Sequence, residues 1–382
     1  MKRRTLLQFA AGMPLLAQAP KQPPKTEWIA WIGTYTNNGK SKGIYAYQWI
    51  PSEHKFISLG LAAETVSPSF LAVHPNQQYL YAVNETDNYE GRSAGSVSAF
   101  SINPATGQLK QISRVSSRGA APCHLAVDRT GRWLFVANYN GGSVAAYSIQ
   151  ENGTIGEATA FSQHSGSSVN PQRQKGPHGH ATVLSPDNRF VTVADLGLDQ
   201  VLIYPIDPQS GGMATRDAGI AKLPPGSGPR HLVFRPDGKF VYVLNEIIPS
   251  VTTFRYIPQR GAFEDPQTVS TLPEGYNGNK SGAEIAIRGN FLYTSNRGHD
   301  SIAIFKIDSA TGRLTPAGHV PTQGKTPRNF AIDPTGQYLL AANQDSDNIV
   351  LFRIDGRTGG LTPTGEVWNV GSPVCVTFSV VK

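Results

Sequence analysis

One phrase recurs six times along the chain: an apolar run, a tight turn of the Pro-Asp-Gly kind, a second apolar run and a closing Asn or Asp. Nothing else in the sequence limits the fold as strongly, because self-similarity at a near-constant period marks a repeat architecture. The copies are "PSFLAVHPNQQYLYAVN" ending at Asn84, "PCHLAVDRTGRWLFVAN" at Asn138, "GHATVLSPDNRFVTVAD" at Asp195, "PRHLVFRPDGKFVYVLN" at Asn245, "AEIAIRGNFLYTSN" at Asn296 and "PRNFAIDPTGQYLLAAN" at Asn343. Their ends lie about 47 to 57 residues apart, near the length of a propeller blade. Each phrase predicts two strands joined by a turn. A third strand follows, as in "GSVSAFSI", "DQVLIYPID" and "DNIVLFRID", and then a more polar fourth, as in "LKQISRVS" and "LTPAGHVP".

Four strands repeated radially predict an all-β, seven-bladed β-propeller with four antiparallel strands per blade. The seventh blade comes from the chain ends. Residues 28–63 supply three strands of a blade that lacks its first, and "PVCVTFSVV" near the C-terminus is a lone first strand. Joining them in one blade closes the ring and removes open sheet edges. No interdomain linker interrupts the pattern, so residues 28–382 read as one domain.

The net charge of +7 is modest, and no basic run or aromatic-interleaved basic stripe follows the N-terminus, so nucleic acid is not an expected partner. Residues 1–19, "MKRRTLLQFAAGMPLLAQA", combine a basic start, a short apolar middle and a closing Ala17-Gln18-Ala19. That is the pattern of an export signal, and Arg3-Arg4 resembles a twin-arginine signal. The expectation is an exported, periplasmic monomer with a linker at 20–27 and no stable membrane partner unless the signal is retained. Cys123 and Cys375 lack metal-ligand spacing and read as small buried side chains.

In a propeller blade the first strand lines the central channel and the second returns beside it. The start of the first and the end of the second therefore share one channel mouth. Six residues before the turn Pro or its equivalent, the copies read Ser69, Cys123, His180, Arg230 and Arg328. The next position reads Phe70, His124, Ala181, His231, Glu284 and Asn329, if the shorter turn of "AEIAIRGN" is a deletion. Directly after the second strand come Glu85, Tyr139, Leu196, Glu246, Arg297 and Gln344. A position filled for architecture stays alike from blade to blade, as the closing Asn does; it reads as a strand-end cap. The three columns do not repeat, and charge at a concave mouth is unfavourable unless paired or used. They are read as the functional site. "GPHGHA" at 176–181 reads as one residue longer before its strand than its sister phrases, a distortion that presents His178 and His180. Trp133, Tyr242 and Tyr338 read as blade packing.

"IGTYT", "PHGHATVLSPDNRF", "GPRHLVFRPDGKFVYVLNE", "AEIAI", "FLYTSNRGHDSIAIF" and "PRNFAIDPTGQYLLAANQDSDNIVLF" together resemble the seven-bladed propeller lactonase family. That family includes propeller-type 6-phosphogluconolactonases and is related to carboxy-muconate cyclases. The resemblance runs from about residue 28 to the C-terminus. It implies an active site at the channel mouth built from a His, two Arg and a Glu, here His180, Arg230, Glu246 and Arg297. The column argument contains the same four.

Lactone hydrolysis needs an activated water, stabilisation of the oxyanion and a proton for the leaving ring oxygen. His180 or Glu246 can serve as general base, with Arg230 and Arg297 holding the oxyanion or an anionic group of the substrate. His178, His124, His231, Glu284, Arg328 and Asn329 are expected around the substrate. The expected partner is a small anionic lactone, with no cofactor and no metal. The export signal is unexpected for an enzyme of cytosolic sugar-phosphate metabolism, which leaves the phosphate on the substrate open. No G-x-S-x-G elbow or phosphate-binding Gly loop occurs. Two other readings stand beside this one: a Ca²⁺-dependent gluconolactonase-like enzyme using the ring of Asn side chains, and an exported, non-catalytic binding propeller.

Overall fold

Seven four-stranded sheets stand around one axis in the computed structural model, which describes residues 27–214 and 219–381. The expected export signal and nearly all of the expected linker lie outside these residues. Each phrase of the repeat becomes an inner hairpin. In the fifth blade, for example, Pro229–Phe234 pairs with Phe240–Asn245, then come Ser250–Ile257 and Ala262–Ser270. One blade mixes the chain ends: Pro373–Val381 pairs with Glu27–Thr34, followed by Gly43–Ile50 and Lys55–Glu64. The inner strands of neighbouring blades touch all the way round, so the ring is closed.

The tight turns work through a carboxylate or its substitute. Asp128 accepts the backbone N–H groups of Arg132 at 2.8 Å and Trp133 at 2.9 Å, and Asp333 does the same for Gln337 and Tyr338. The turn residue Gly131 has φ +73°, which explains the Gly of the phrase. The core is divided among the interfaces between blades. Each of seven apolar clusters joins two neighbours, such as Tyr242, Leu244 and Val251 of the fifth blade with Leu292, Ala303 and Phe305 of the sixth. Buried tyrosines lock these layers: the Tyr81, Tyr242 and Tyr293 hydroxyls donate to the carbonyls of Gly153, Gly312 and Gly359 in the next blade.

Four of the closing Asn residues also fasten blade to blade, while Asn245 bonds Ser250 and Thr252 of its own blade. Asn296 Nδ2 donates to Thr271 O at 2.8 Å, just after the preceding blade ends, and Asn138 and Asn343 reach Ser117 O and Thr322 O in the same way. Where the fourth blade has Asp195, the preceding blade answers with a side chain: His164 Nδ1 lies 2.6 Å from its carboxylate.

A β-bulge sits at the start of the inner strand in six blades. It leaves Cys123, His180, Arg230, Arg328 and Val374 as unpaired extra residues, and in the sixth blade opposes Ala283 and Glu284 to one residue. A bulge cancels the alternation of a strand locally. Arg230 and His231, adjacent in sequence, therefore both turn into the channel, with Arg230 Nη1 3.3 Å from His231 Nε2. The strand carrying His180 is six residues long, like that carrying Arg230, and Gly179 pairs with Asp195 as Pro229 pairs with Asn245. The extra residue read into "GPHGHA" is thus absent, since Gly179 takes the place of the proline.

Candidate functional site

A cavity of about 260 Å³ opens at one channel mouth, lined by Glu85, Cys123, Tyr139, Arg173, His180, Glu246, Ser281, Arg297 and Arg328. Its centre is the Glu246 carboxylate, which follows the second strand of the fifth blade and is 5% exposed. Oε1 accepts from Arg173 at 2.6 Å, and Oε2 lies 3.0 Å from Arg297, 3.1 Å from Arg230 Nε and 3.7 Å from His180 Nε2. Burial alone acts to raise the Glu246 pKa, but the Arg297, Arg230 and Arg173 charges outweigh it and hold the carboxyl at about 2. Arg297 is fixed further by Ser281 Oγ at 2.6 Å and Gly282 O at 2.8 Å, and Arg230 donates to Ala283 O. Burial, above all, brings Arg297 down to about 10, so it stays cationic at neutral pH.

His180 is neutral there. Burial first, then the charges of Arg230, His231 and Arg328, push its imidazole well below the usual histidine range. Its Nδ1 is 3.8 Å from Cys123 Sγ, and the Tyr139 ring stands edge-on to its own at 5.4 Å.

The second column forms a floor beneath the cavity. Phe70 stacks on His124 at 3.9 Å, His124 meets His231 edge-on at 5.1 Å, and His231 Nδ1 lies 2.9 Å from Glu284 Oε1. Asn329 donates to Glu284 and accepts from Val376 N, which carries the chain of contacts across to the blade of mixed ends. The floor orients the groups above it: His231, held by Glu284, presents Nε2 to Arg230. His178 lies behind the wall, not on it. Its ring stacks on Tyr139 at 4.5 Å and its Nδ1 is 2.9 Å from Tyr139 O.

The structure thus brings His180, Arg230, Glu246, Arg297 and Arg328 to one mouth, puts His124, His231, Glu284 and Asn329 one layer below, and sets His178 outside. It also adds Arg173, which no repeat column contains, because it sits on the loop between the third and fourth blades. That loop is built to hold it. Asn170 Oδ1 caps Arg173 N at 3.0 Å, the buried Gln174 donates to Leu196 O at 2.8 Å, and a Cβ on Gly197 would stand 1.9 Å from Gly176 O. The length of the segment before "GPHGHA" is its only trace in the sequence. Tyr139 and Glu85 do occupy a repeat column; what singles them out is tertiary. Tyr139 OH accepts from Arg173 at 2.9 Å, and Glu85 accepts from Tyr35 OH at 2.9 Å.

Among the described residues no three His, Cys, Asp or Glu side chains converge as a metal would require. In the Asn ring considered for Ca²⁺ the side-chain amide nitrogens serve the architecture, tying Asn84, Asn138, Asn296 and Asn343 to the preceding blade and Asn245 to Ser250 and Thr252 of its own, and all five residues are fully buried. Two wider grooves of about 760 Å³ lie between outer strands, but they gather exposed charges such as Arg255 and Asp265.

Fold and site together define a seven-bladed propeller with a charged, small-molecule-sized pocket sunk into one channel mouth. The chain belongs to the seven-bladed β-propeller lactonases: the family "Lactonase, 7-bladed beta-propeller" matches residues 29–378. It is 35% identical over 313 residues to a 6-phosphogluconolactonase of Bacillus subtilis, covering 81% of this chain and 86% of that one. Among solved structures, a putative 6-phosphogluconolactonase from Bacteroides fragilis superposes with a TM-score of 0.85 at 36% identity, covering 92% of this chain and 98% of that one. A periplasmic gluconolactonase from Pseudomonas aeruginosa gives 0.87 at 33% identity, covering 93% and 100%.

Proposed function

We propose that the protein hydrolyses the lactone of a sugar acid at this channel mouth, without a metal. The observation that carries the reading is one juxtaposition: a neutral imidazole, His180, 3.7 Å from a carboxylate that three guanidiniums keep ionised. With its pKa at about 2, Glu246 is too weak a base to take a proton from water. His180 Nε2 accepts that proton as the water oxygen attacks the lactone carbonyl, and returns it to the ring oxygen when the acyl C–O bond breaks. Arg230 and Arg297 face the developing oxyanion, and Glu246 fixes both. Family membership and the names of the relatives support the ester chemistry. Metal independence is supported by the donor set, in which the central carboxylate is already taken up by arginines.

The test is hydrolysis of a lactone panel, with and without phosphate or carboxylate groups, followed by proton release in chelator. His180→Ala and Arg230→Ala are each expected to lose about 100-fold in kcat/KM. Loss of activity in chelator would overturn the metal-free step. A folded protein inactive on every lactone would favour the binding propeller instead.

The protein is further proposed to be exported, on the signal-like residues 1–19, and its similarity to a periplasmic gluconolactonase supports this. Among the described residues no helix is long and apolar enough to cross a membrane. Cell fractionation with N-terminal sequencing of the mature chain decides it.

A further inference from the structure

Three guanidiniums surround the Glu246 carboxylate, but they do not hold it alike. Both Nη2 protons of Arg297 have acceptors elsewhere, Ser281 Oγ at 2.6 Å and Gly282 O at 2.8 Å. Arg230 Nε, 3.1 Å from Oε2, is not aligned for a hydrogen bond to any group. These two attract the carboxylate by charge, which has no preferred angle. Arg173 differs: its Nη2 donates to Oε1 at 2.6 Å and to Tyr139 OH at 2.9 Å, so it fixes which way the carboxylate is turned. The last torsion of a glutamate is soft, and a directed bond is what sets it. The turn matters because of His180, whose Nε2 stands 3.7 Å from Oε2, beyond hydrogen-bond reach. The strap that carries Arg173, residues 164–178, is itself rigid. Asn170 N donates to Gln174 Oε1 at 3.0 Å, Gln174 N returns to Asn170 O at 2.9 Å, and Ser168 Oγ bonds the buried Asp199 at 2.5 Å.

We infer that Arg173 is a positioning residue: from the strap it turns the Glu246 carboxylate away from His180 and so leaves Nε2 free to take the proton of the attacking water. The inference rests on the lactonase reading of the same cavity and assigns a role to a residue outside the repeat. His180 is faced by Glu246, Arg230 and His231 of the fifth blade, by Arg328 of the seventh, and by Cys123 and Tyr139 of the third. Burial pushes the Cys123 thiol and the Tyr139 phenol up, so Glu246 is the one anion among these groups at neutral pH. Without Arg173, the charges of Arg230 and Arg297 still keep Glu246 ionised, but its oxygens are free to swing onto Nε2. A carboxylate bonded there favours the imidazolium, which cannot accept a proton. The loss is therefore greatest in acid and is lifted as pH rises above the raised His180 midpoint.

The experiment measures kcat and KM from about pH 5 to about pH 8.5 for wild type, Arg173→Gln and Arg173→Lys, on whichever lactone of the panel the wild type hydrolyses fastest. The Arg173 side chain is 42% exposed, so its replacement leaves no buried hole. In Arg173→Gln the acid limb is expected to rise by about one pH unit or more, with the loss in kcat and recovery to within about threefold of the wild type at the alkaline end. Arg173→Lys keeps a charged donor for Oε1 and should lie between the two. An acid limb that moves by less than about 0.3 pH unit, or a loss equal at every pH, overturns the inference, because damage to the fold alone does not recover with pH. Failure of the lactonase reading is seen separately, as no hydrolysis by the wild type. The imidazole of His180 is also titrated by NMR without substrate, with His180→Gln to assign its signal. A midpoint raised in Arg173→Gln sustains the positioning role, and an unchanged one overturns it.

Discussion

Glu246→Gln tests the centre of the site most directly, because one carboxylate holds three arginines. Its pKa of about 2 lies some 2.5 below the ordinary glutamate value of 4.5. At 1.36 kcal/mol per unit this corresponds to about 3 kcal/mol of stability from the ionised form. The folded-state value is the depressed one. The contribution is therefore complete above about pH 4.5 and is lost as pH falls from there toward 2. Glutamine keeps the shape and removes the charge, leaving Arg173, Arg230 and Arg297 to repel one another in a buried pocket. A loss of about 3 kcal/mol is expected, in line with breaking a buried pair from one side. For a propeller of this size that lowers Tm by about 4 °C. The assay is thermal and urea denaturation of wild type and variant at pH 7 and at steps down to pH 3. The wild type should converge on the variant as the medium acidifies. If Glu246→Gln matches the wild type at pH 7 within about 1 kcal/mol, or declines in acid just as steeply, the account of the arginine cluster is wrong.

Three further outcomes are expected. Because burial and neighbouring charges keep the His180 imidazole below its usual range, the acid limb of kcat/KM should lie below pH 6.5, and a limb centred at or above that value refutes His180 as the base. Asn296→Ala should destabilise the protein by about 1 to 3 kcal/mol in urea titration with little change in KM, since it removes the tie to Thr271 O and leaves the buried Thr271 hydroxyl without its acceptor. Cys123, whose thiol burial pushes far up, should resist iodoacetamide in the native protein at pH 8 and react once unfolded; rapid native labelling would contradict its placement.

How much of this was legible in the sequence differs from residue to residue. The blades and their strand order follow from local patterns, because hairpin turns and alternating runs are short-range signals repeated six times, and the closure by Pro373–Val381 against Glu27–Thr34 follows from the two incomplete units left at the chain ends. The quartet His180, Arg230, Glu246 and Arg297 was legible too, since a repeat makes its exceptions visible: a charged side chain stands out where sister blades carry Ser, Leu or Gln. His178 misled because "GPHGHA" was counted from the wrong proline, and Gly179 occupies the strand position that Pro229 holds in the next blade.

Three matters were decided only by the tertiary structure. The bulges set which neighbours in sequence share the channel, and a bulge is an extra residue relative to a partner strand, a relation between strands that no single strand carries. Arg173 belongs to no column, and its bond to Glu246 joins residues 73 apart in the chain. The difference between Arg328 and the other three arginines lies wholly in partners, for "GPRH" and "TPRN" look alike until the fold brings Glu246 to one guanidinium and the face of Tyr35 to the other. Local chemistry fixes strands and turns through the backbone, whereas charge pairing depends on distance in space, which only the closed ring supplies.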